Sequence, residues 1–216
     1  MSAICRMCGL IGLLGLAGVI SSGCVPTFSE LQGAELVGEE VLELTPSASL
    51  VTFANGGESD HVQDHLGLQA AYGWSDHLDL RVRYERIVVV AGDGDFTANV
   101  VAFGPKFGEQ RGRAALYLPV GCAFGDDVDD SSETWQFHPT LLFTIPMSRN
   151  LELNPSTKAL IPLTQKEGDT LLALNLGLAF KGDSGGWAIR PEFGILIDPG
   201  EDGYYLHFSL GLSLRH

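Results

Sequence analysis

An alternation of apolar and polar positions with a period of two runs from about residue 39 to the end of the chain. Successive side chains of a β-strand point to opposite faces of a sheet, so this period predicts strands with one apolar face. Between residues 172 and 181, for example, leucines and a phenylalanine occupy every even position, whereas small or polar residues occupy every odd one. The two faces of the predicted sheet therefore meet different surroundings.

Ten segments carry the alternation, and most of them contain ten residues or more. They span residues 39–53, 63–74, 78–90, 96–108, 113–124, 135–147, 151–162, 170–181, 187–197 and 204–214. Strands of soluble sheets usually have about five or six residues, whereas a tilted strand needs about 9–11 residues to cross a bilayer. We therefore predict an all-β fold, an antiparallel up-and-down transmembrane β-barrel of about ten strands, with about eight and twelve as the limits.

The connections between these segments alternate in length and charge. Short turns follow the even-numbered segments, at residues 75–77, 109–112, 148–150 and 183–186. Longer or more acidic loops follow the odd-numbered segments, at residues 54–62, 91–95, 125–134, 163–169 and 198–203. Outer-membrane barrels combine short periplasmic turns, longer outer loops and an even number of strands. The acidic loops are accordingly predicted to face the outside of the cell.

Aromatic residues at the ends of the segments provide an independent test of this arrangement. Trp74 and Trp187 are predicted at the periplasmic edge, and Trp135 and Tyr204 at the outer edge. All four belong to the apolar face, where amphipathic rings form the interfacial girdles of membrane barrels.

Prolines within the segments are the main objection to this fold. Proline cannot donate a backbone hydrogen bond to a strand ladder and is usually confined to edges and bulges. A barrel accommodates prolines near its rims, but Pro139, Pro155 and Pro191 fall inside segments. These three residues predict local bulges.

The beginning of the chain resembles a bacterial lipoprotein signal. Arg6 supplies a positive start, residues 9–20 are apolar, and the small residues 21–23 precede Cys24. The apolar run is shorter than the roughly 20 residues of a spanning helix. The resemblance implies a signal peptide at residues 1–23, acylation of Cys24, a lipidated linker at residues 24–38 and a barrel domain at residues 39–216. The lipid would then lie on the periplasmic side of the bacterial outer membrane; an ordinary signal peptidase cleavage is the alternative.

The net charge excludes one class of partner, and the cysteine content bears on disulfide formation. The net charge is −14 and the isoelectric point is near 4.6. Binding to nucleic acid requires clustered Lys and Arg, so a nucleic-acid partner is excluded. Cys5 and Cys8 fall within the signal, which leaves Cys122 in the barrel and predicts no intramolecular disulfide. No cofactor is expected.

Long charged side chains share the less apolar face of the segments, and a lipid-facing surface could not hold them. The set comprises Asp79, Arg81, Arg83, Glu85, Lys106, Arg113, Glu152, Lys158, Lys181, Arg190 and Glu192. Small barrels are packed inside by their own side chains, so the mixed charges predict an ion-pair network that fills the lumen. A selective pore lining is the alternative interpretation.

The predicted outer loops hold more than half of the 27 acidic residues. Their densest cluster comprises Asp126, Asp127, Asp129 and Asp130, and hard divalent cations prefer such carboxylate oxygens. The spacing matches no defined calcium loop. A solvated acidic surface is therefore the favoured interpretation, and a Ca²⁺ or Mg²⁺ site is the alternative.

Histidines and aspartates cluster near the first predicted outer loop, at Asp60, His61, Asp64 and His65. Some outer-membrane hydrolases use such residues at the barrel rim. Catalysis needs a nucleophile or a positioned acid–base pair, and no serine motif accompanies this cluster. A non-enzymatic protein is predicted, with a rim hydrolase as the alternative.

Across residues 39–216 the pattern resembles small bacterial outer-membrane β-barrel proteins. Residues 72–80, with the sequence YGWSDHLDL, look like a strand–turn–strand corner of that class. The resemblance implies outer-membrane lipid as a partner and a structural or binding role through the acidic loops. Two further alternatives are a narrow selective channel for small solutes and a soluble, lipid-tethered barrel that binds an apolar ligand, as lipocalins do.

Overall fold

The barrel is closed by backbone pairing between its first and last strands. A computed structural model describes residues 26–90, 96–164 and 169–216. The first strand pairs with both the second and the last strand, so the antiparallel sheet closes on itself. The predicted all-β barrel of ten strands is confirmed.

The ten strands follow one another around the barrel in chain order. Eight of them are continuous: β1 (Leu42–Asn55), β2 (Glu58–Ser75), β3 (Leu78–Val89), β4 (Phe96–Phe107), β7 (Leu151–Pro162), β8 (Leu171–Lys181), β9 (Trp187–Ile197) and β10 (Tyr204–Arg215). The other two are interrupted: β5 comprises Ala114–Tyr117 and Val120–Phe124, and β6 comprises Gln136–Phe137, Thr140–Phe143 and Ile145–Pro146. A 3-10 turn, Ser131–Glu133, precedes β6. In the part of the chain that the structure describes, no helix is long and apolar enough to cross a membrane.

Prolines interrupt the strand ladders without displacing them. β5 breaks at Pro119 and β6 at Pro139, where proline offers no backbone donor. Pro155 and Pro191 each lie in a continuous strand, and the pairing beside them pauses and resumes in the same register. The bulges predicted there are not found; the register shifts lie at residues 51–52 and 73–75 instead.

The two ends of the barrel differ. We term the end with the connections after even-numbered strands the turn end, and the opposite end the loop end. One predicted loop is wrong, because the connection after β1 is not residues 54–62 but only Gly56 and Gly57. Both glycines have positive φ, at 60° and 90°, as tight hairpins require. β1 and β2 therefore extend further toward the loop end than the alternation predicts.

Large apolar side chains cover the outside of the barrel. Leu66, Phe103 and Leu50 expose 63%, 61% and 56% of their surface, whereas Asp79 and Lys106 are fully buried inside. A soluble ligand-binding barrel has the reverse distribution, with its apolar face turned inward. The lipocalin-like alternative is therefore wrong. The predicted girdle residues lie on the same outer surface: Trp74, Trp135, Trp187 and Tyr204.

Candidate functional site: a lumen filled by the N-terminal segment

Residues 26–38, termed the plug, lie inside the barrel. All of them except Glu35 are buried, although the segment contains neither helix nor strand. These residues belong to the predicted linker at residues 24–38, and the structure places them inside the lumen. They carry no period-two signal, and their burial depends on contacts with strands that are distant in sequence. Cys24 and the predicted signal peptide lie outside the described residues.

The plug runs through the lumen from the loop end toward the turn end. Phe28, near its start, packs into an apolar layer from the loop-end halves of the strands. That layer comprises Val51, Val62, Val89, Leu160, Leu171, Ala173, Leu196 and Tyr205. Near the other end, the Val37 amide donates to Asp79 Oδ2 at the beginning of β3, at 3.2 Å. The plug thus spans most of the lumen and does not merely cover one mouth.

Side chains of the barrel wall donate hydrogen bonds to the backbone carbonyls of the plug. Lys158 Nζ donates to the carbonyls of Thr27 and Phe28 at 2.5 and 3.2 Å. Similar bonds join Lys106 to Gly33 and Glu35 (2.7 and 2.8 Å), Gln69 to Glu30 (3.0 Å) and Asn175 to Phe28 (3.2 Å). Because the acceptors are main-chain atoms, these contacts do not depend on the side chains of the plug.

Acceptors on the wall bind the amides of the plug in the same way. The Glu192 carboxylate accepts from the amides of Glu30 and Leu31, at 2.7 and 2.8 Å. Thr144 Oγ1 accepts from the Ala34 amide at 2.8 Å. A carboxylate that accepts two backbone amides forms charge-assisted bonds, which are stronger than neutral ones. The wall therefore supplies the partners that a buried backbone needs.

Two glutamates of the plug form ion pairs with lysines of the wall. Glu30 Oε1 lies 3.0 Å from Lys158 Nζ, and both side chains are buried. Glu35 Oε2 lies 2.8 Å from Lys181 Nζ, closer to solvent at the turn end. A second set of pairs lies within the wall: Arg81 with Asp79 (3.5 Å) and Glu43 (3.6 Å), Arg215 with Glu43 (2.8 Å), Arg83 with Glu85, and Lys181 with Glu152.

The wall by itself carries more positive than negative charge. Its acids are Glu43, Asp79, Glu85, Glu152 and Glu192; its bases are Arg81, Arg83, Lys106, Lys158, Lys181, Arg190 and Arg215. Seven bases against five acids leave an excess of two positive charges, and Glu30 and Glu35 supply two negative ones. Unpaired charge in a confined lumen is costly, so the plug neutralises the wall.

The predicted lumen charges all lie inside the barrel except Arg113. This residue has the inward phase but precedes the first residue of β5, so its side chain is exposed at the turn end. Sequence reasoning also missed Glu43 and Arg215, which occupy inward positions near the ends of β1 and β10 and could have been found from their phase. The two glutamates of the plug carry no periodic signal.

Rings of the wall surround Phe28. Its ring centroid lies 5.4 Å from that of His65, 5.8 Å from Tyr205 and 5.9 Å from His207. The first two contacts are edge-on, a favoured aromatic geometry. His65 Nδ1 lies 3.3 Å from Glu85 Oε2. His65, which belongs to the predicted rim cluster, is therefore a buried residue of the lumen.

Gly33 marks the tightest approach between plug and wall. A Cβ atom at this position would lie 2.5 Å from both Asn154 Oδ1 and Thr144 Oγ1. These two atoms are themselves hydrogen-bonded, at 2.9 Å. Any side chain at position 33 must therefore displace the plug or break this bond.

A cavity of about 530 Å³ opens at the turn end. Leu36 and Val37 of the plug form part of its lining, together with Arg113, Lys181 and Arg215. The cavity is therefore a vestibule that ends at the plug.

The acidic cluster at the loop end is partly used by the fold itself. Asp127 Oδ2 accepts from the Thr97 amide at 2.9 Å, and Asp130 Oδ1 caps the 3-10 turn through the Ser132 amide at 2.8 Å. The bonds from Ser132 lower the pKa of Asp130. Asp126 and Asp129 are exposed. Within residues 26–90, 96–164 and 169–216, no three His, Cys, Asp or Glu side chains are placed to hold a metal ion.

A second group of loop-end carboxylates follows β9. Partial burial raises the pKa of Asp198, and the neighbouring carboxylates of Asp169 and Glu201 raise it further. Like charges therefore lie close together at this end of the barrel.

The predicted rim hydrolase residues do not form a catalytic arrangement. His61 Nε2 lies 3.1 Å from Asp64 Oδ1, and both side chains are 44% exposed. Among the described residues, no hydroxyl or thiol is hydrogen-bonded to His61, and Asp60 is exposed in β2. A nucleophile hydrogen-bonded to a positioned base is the arrangement that hydrolysis would require.

Several solved β-barrel structures are similar to this chain. No protein-family model and no curated protein matches the chain. The crystal structure of Ail, the attachment invasion locus protein of Yersinia pestis, is 15% identical, with a TM-score of 0.41 over 82% of this chain and 99% of Ail. The translocator domain of the autotransporter NalP from Neisseria meningitidis is 12% identical, with a TM-score of 0.43 over 98% of both chains. Neisserial surface protein A is 13% identical, with a TM-score of 0.38 over 82% and 99%. The ten-strand architecture of this chain follows from its own strand pairing.

Proposed function

We propose that this chain is a bacterial outer-membrane β-barrel that is closed by its own plug and has a structural or binding role through its acidic loop end. The observation that carries the proposal is the buried plug, whose backbone and glutamates are bound by the wall. Because the lumen is filled, bulk passage of solutes has no route through it.

The outer surface supports a membrane location. Its continuous strands have 11 to 18 residues, and about 9–11 residues suffice to cross a bilayer. Large apolar side chains such as Leu66 and Phe103 cover the outside, and a soluble protein rarely exposes such an extended apolar surface. The predicted aromatic residues lie at both edges of this surface, where girdles occur in membrane barrels.

The loop end supports a binding role. Asp126 and Asp129 are exposed there, and Asp198 lies beside further carboxylates. A surface of this kind attracts cationic partners, of which divalent cations are the simplest.

Acylation of Cys24, with the lipid on the periplasmic side, stays a prediction. Acyl labelling, combined with protease access from each side of intact cells, tests both points.

Planar-bilayer recording tests the closed lumen. Folded wild-type protein is expected to show no steady conductance after insertion, and insertion is verified by the heat-modifiable band in matched liposomes. The variant with Glu30→Gln and Glu35→Gln loses both plug charges and should open intermittently. A large, steady conductance from the folded wild type would replace this proposal by the narrow-channel alternative.

A further inference from the structure

We propose that the barrel wall is a binding site for an extended acidic peptide, which the plug occupies in cis and which the same peptide can occupy in trans. The inference rests on the closed lumen of the proposed function. It adds a ligand class and a recognition pattern: Phe-x-Glu-x-x-Gly-x-Glu, the sequence of residues 28–35.

The wall binds the main chain of the plug. Lys158 and Lys106 each bind two backbone carbonyls, and Glu192 binds two successive amides. Main-chain contacts of this kind are how proteins hold extended peptides of varied sequence. The wall therefore has the donors and acceptors of a peptide-binding groove, closed into a tube.

The charge of the wall selects the charge of its occupant. The wall has two more bases than acids, and only an occupant with negative charge balances them. A neutral or basic peptide would leave Lys158 without its carboxylate partner in the lumen, at a high desolvation cost. The ligand class is therefore acidic.

Side chains at four positions of the plug make specific contacts. Phe28 fills the pocket of rings and aliphatic side chains near the loop end. Glu30 reaches Lys158 at 3.0 Å, and Glu35 reaches Lys181 at 2.8 Å. Gly33 passes Asn154 and Thr144, where a Cβ atom would lie only 2.5 Å from each. Anchor, charge and small residue together define the pattern.

The connection between plug and barrel is short and exposed. Glu39 and Glu40 join the plug to β1 and are both exposed at the turn end. Every plug–wall contact described above is non-covalent. Cutting the chain between these two residues therefore converts the plug into a separate peptide without removing any of those contacts.

The test uses the full chain with a protease recognition sequence inserted between Glu39 and Glu40. The folded protein is cleaved, unfolded in denaturant, and refolded in detergent micelles with an excess of fluorescent peptide spanning residues 26–39. The uncut chain is refolded in parallel. The expected result is a heat-modifiable folded band that carries the fluorescent peptide in saturable fashion.

Peptide variants separate specific binding from charge alone. A Glu30→Gln peptide should bind at least about tenfold more weakly, because it loses the buried ion pair with Lys158. A Glu39→Gln peptide, which loses the same charge at an exposed position, should bind as well as the parent. A Gly33→Leu peptide should not bind.

Two results would overturn the inference. One is a folded band without peptide. The other is a cleaved barrel that fails to fold with any peptide while the uncut chain refolds. Both are independent of the bilayer recordings on the intact chain, so the inference and the proposed function can fail separately.

Discussion

Replacing Lys158 by methionine is expected to weaken the barrel from the inside. Lys158 Nζ contacts Glu30 Oε1 at 3.0 Å and donates to the carbonyls of Thr27 and Phe28. Methionine has a similar length but no donor. The substitution therefore leaves the Glu30 carboxylate and two buried carbonyls without this partner, while the volume of the lumen stays almost the same.

The magnitude follows from the burial of the pair. Removing one partner of a buried ion pair costs about 3–5 kcal/mol, because the remaining charge is left uncompensated. The free energy of unfolding should therefore fall by about 4 kcal/mol in the Lys158→Met variant. Adding Glu30→Gln removes the stranded charge, so the double variant should lose at least about 1 kcal/mol less than the sum of the two single variants.

Urea-induced unfolding in lipid vesicles, followed by tryptophan fluorescence, measures these differences. Arg149→Met is the matched control, because it removes a positive charge from an exposed turn and should change stability by less than about 0.5 kcal/mol. Additive losses in the double variant, or a Lys158→Met barrel as stable as the parent, would refute the assigned contact between plug and wall.

Three other substitutions address the wall, the outer surface and the loop end. Arg81→Met with Arg83→Met removes the ion pairs to Asp79 and Glu85 and one of the two ion pairs of Glu43; the heat-modifiable band should be lost at a lower temperature, and an unchanged temperature would contradict the network. Leu66→Arg, at the middle of the outward face of β2, should cost about 2–4 kcal/mol in vesicles; no loss would argue against a lipid-facing surface. Since the pKa of Asp198 is raised in the folded barrel, its ionisation opposes folding once the pH exceeds the unfolded-state value of about 3.9. Asp198→Asn should therefore raise the unfolding temperature at neutral pH and have no effect near pH 3, and the opposite order would show that the carboxylate stabilises the loop.

The fold could be predicted from sequence because the two faces of each strand meet different surroundings, and this difference determines the side chains within the strand itself. Lipid outside and charge inside impose the period of two that Leu172–Lys181 shows most clearly. The turn between β1 and β2 could also have been predicted from sequence, since Asn55-Gly56 is a strong hairpin signal. The acidic residues that follow it indicate a loop, but the structure continues β2 through them.

The plug could not be predicted in the same way. A segment without regular structure has no periodicity, and its burial is decided by side chains more than a hundred residues away, such as Lys158 and Glu192. The charge count of the wall did contain a hint. Its unequal numbers of acids and bases require compensation, and Glu30 and Glu35 provide it from outside the strands.

The position of Phe28 is the most direct test of the filled lumen. In detergent micelles, nuclear Overhauser effects should connect the ring protons of Phe28 with those of Tyr205 and His207, whose ring centroids lie 5.8 and 5.9 Å away. The amides of Glu30 and Leu31, bound to Glu192, should exchange slowly with solvent in the same sample. A Phe28 ring with random-coil shifts and no contact to either residue would contradict the account.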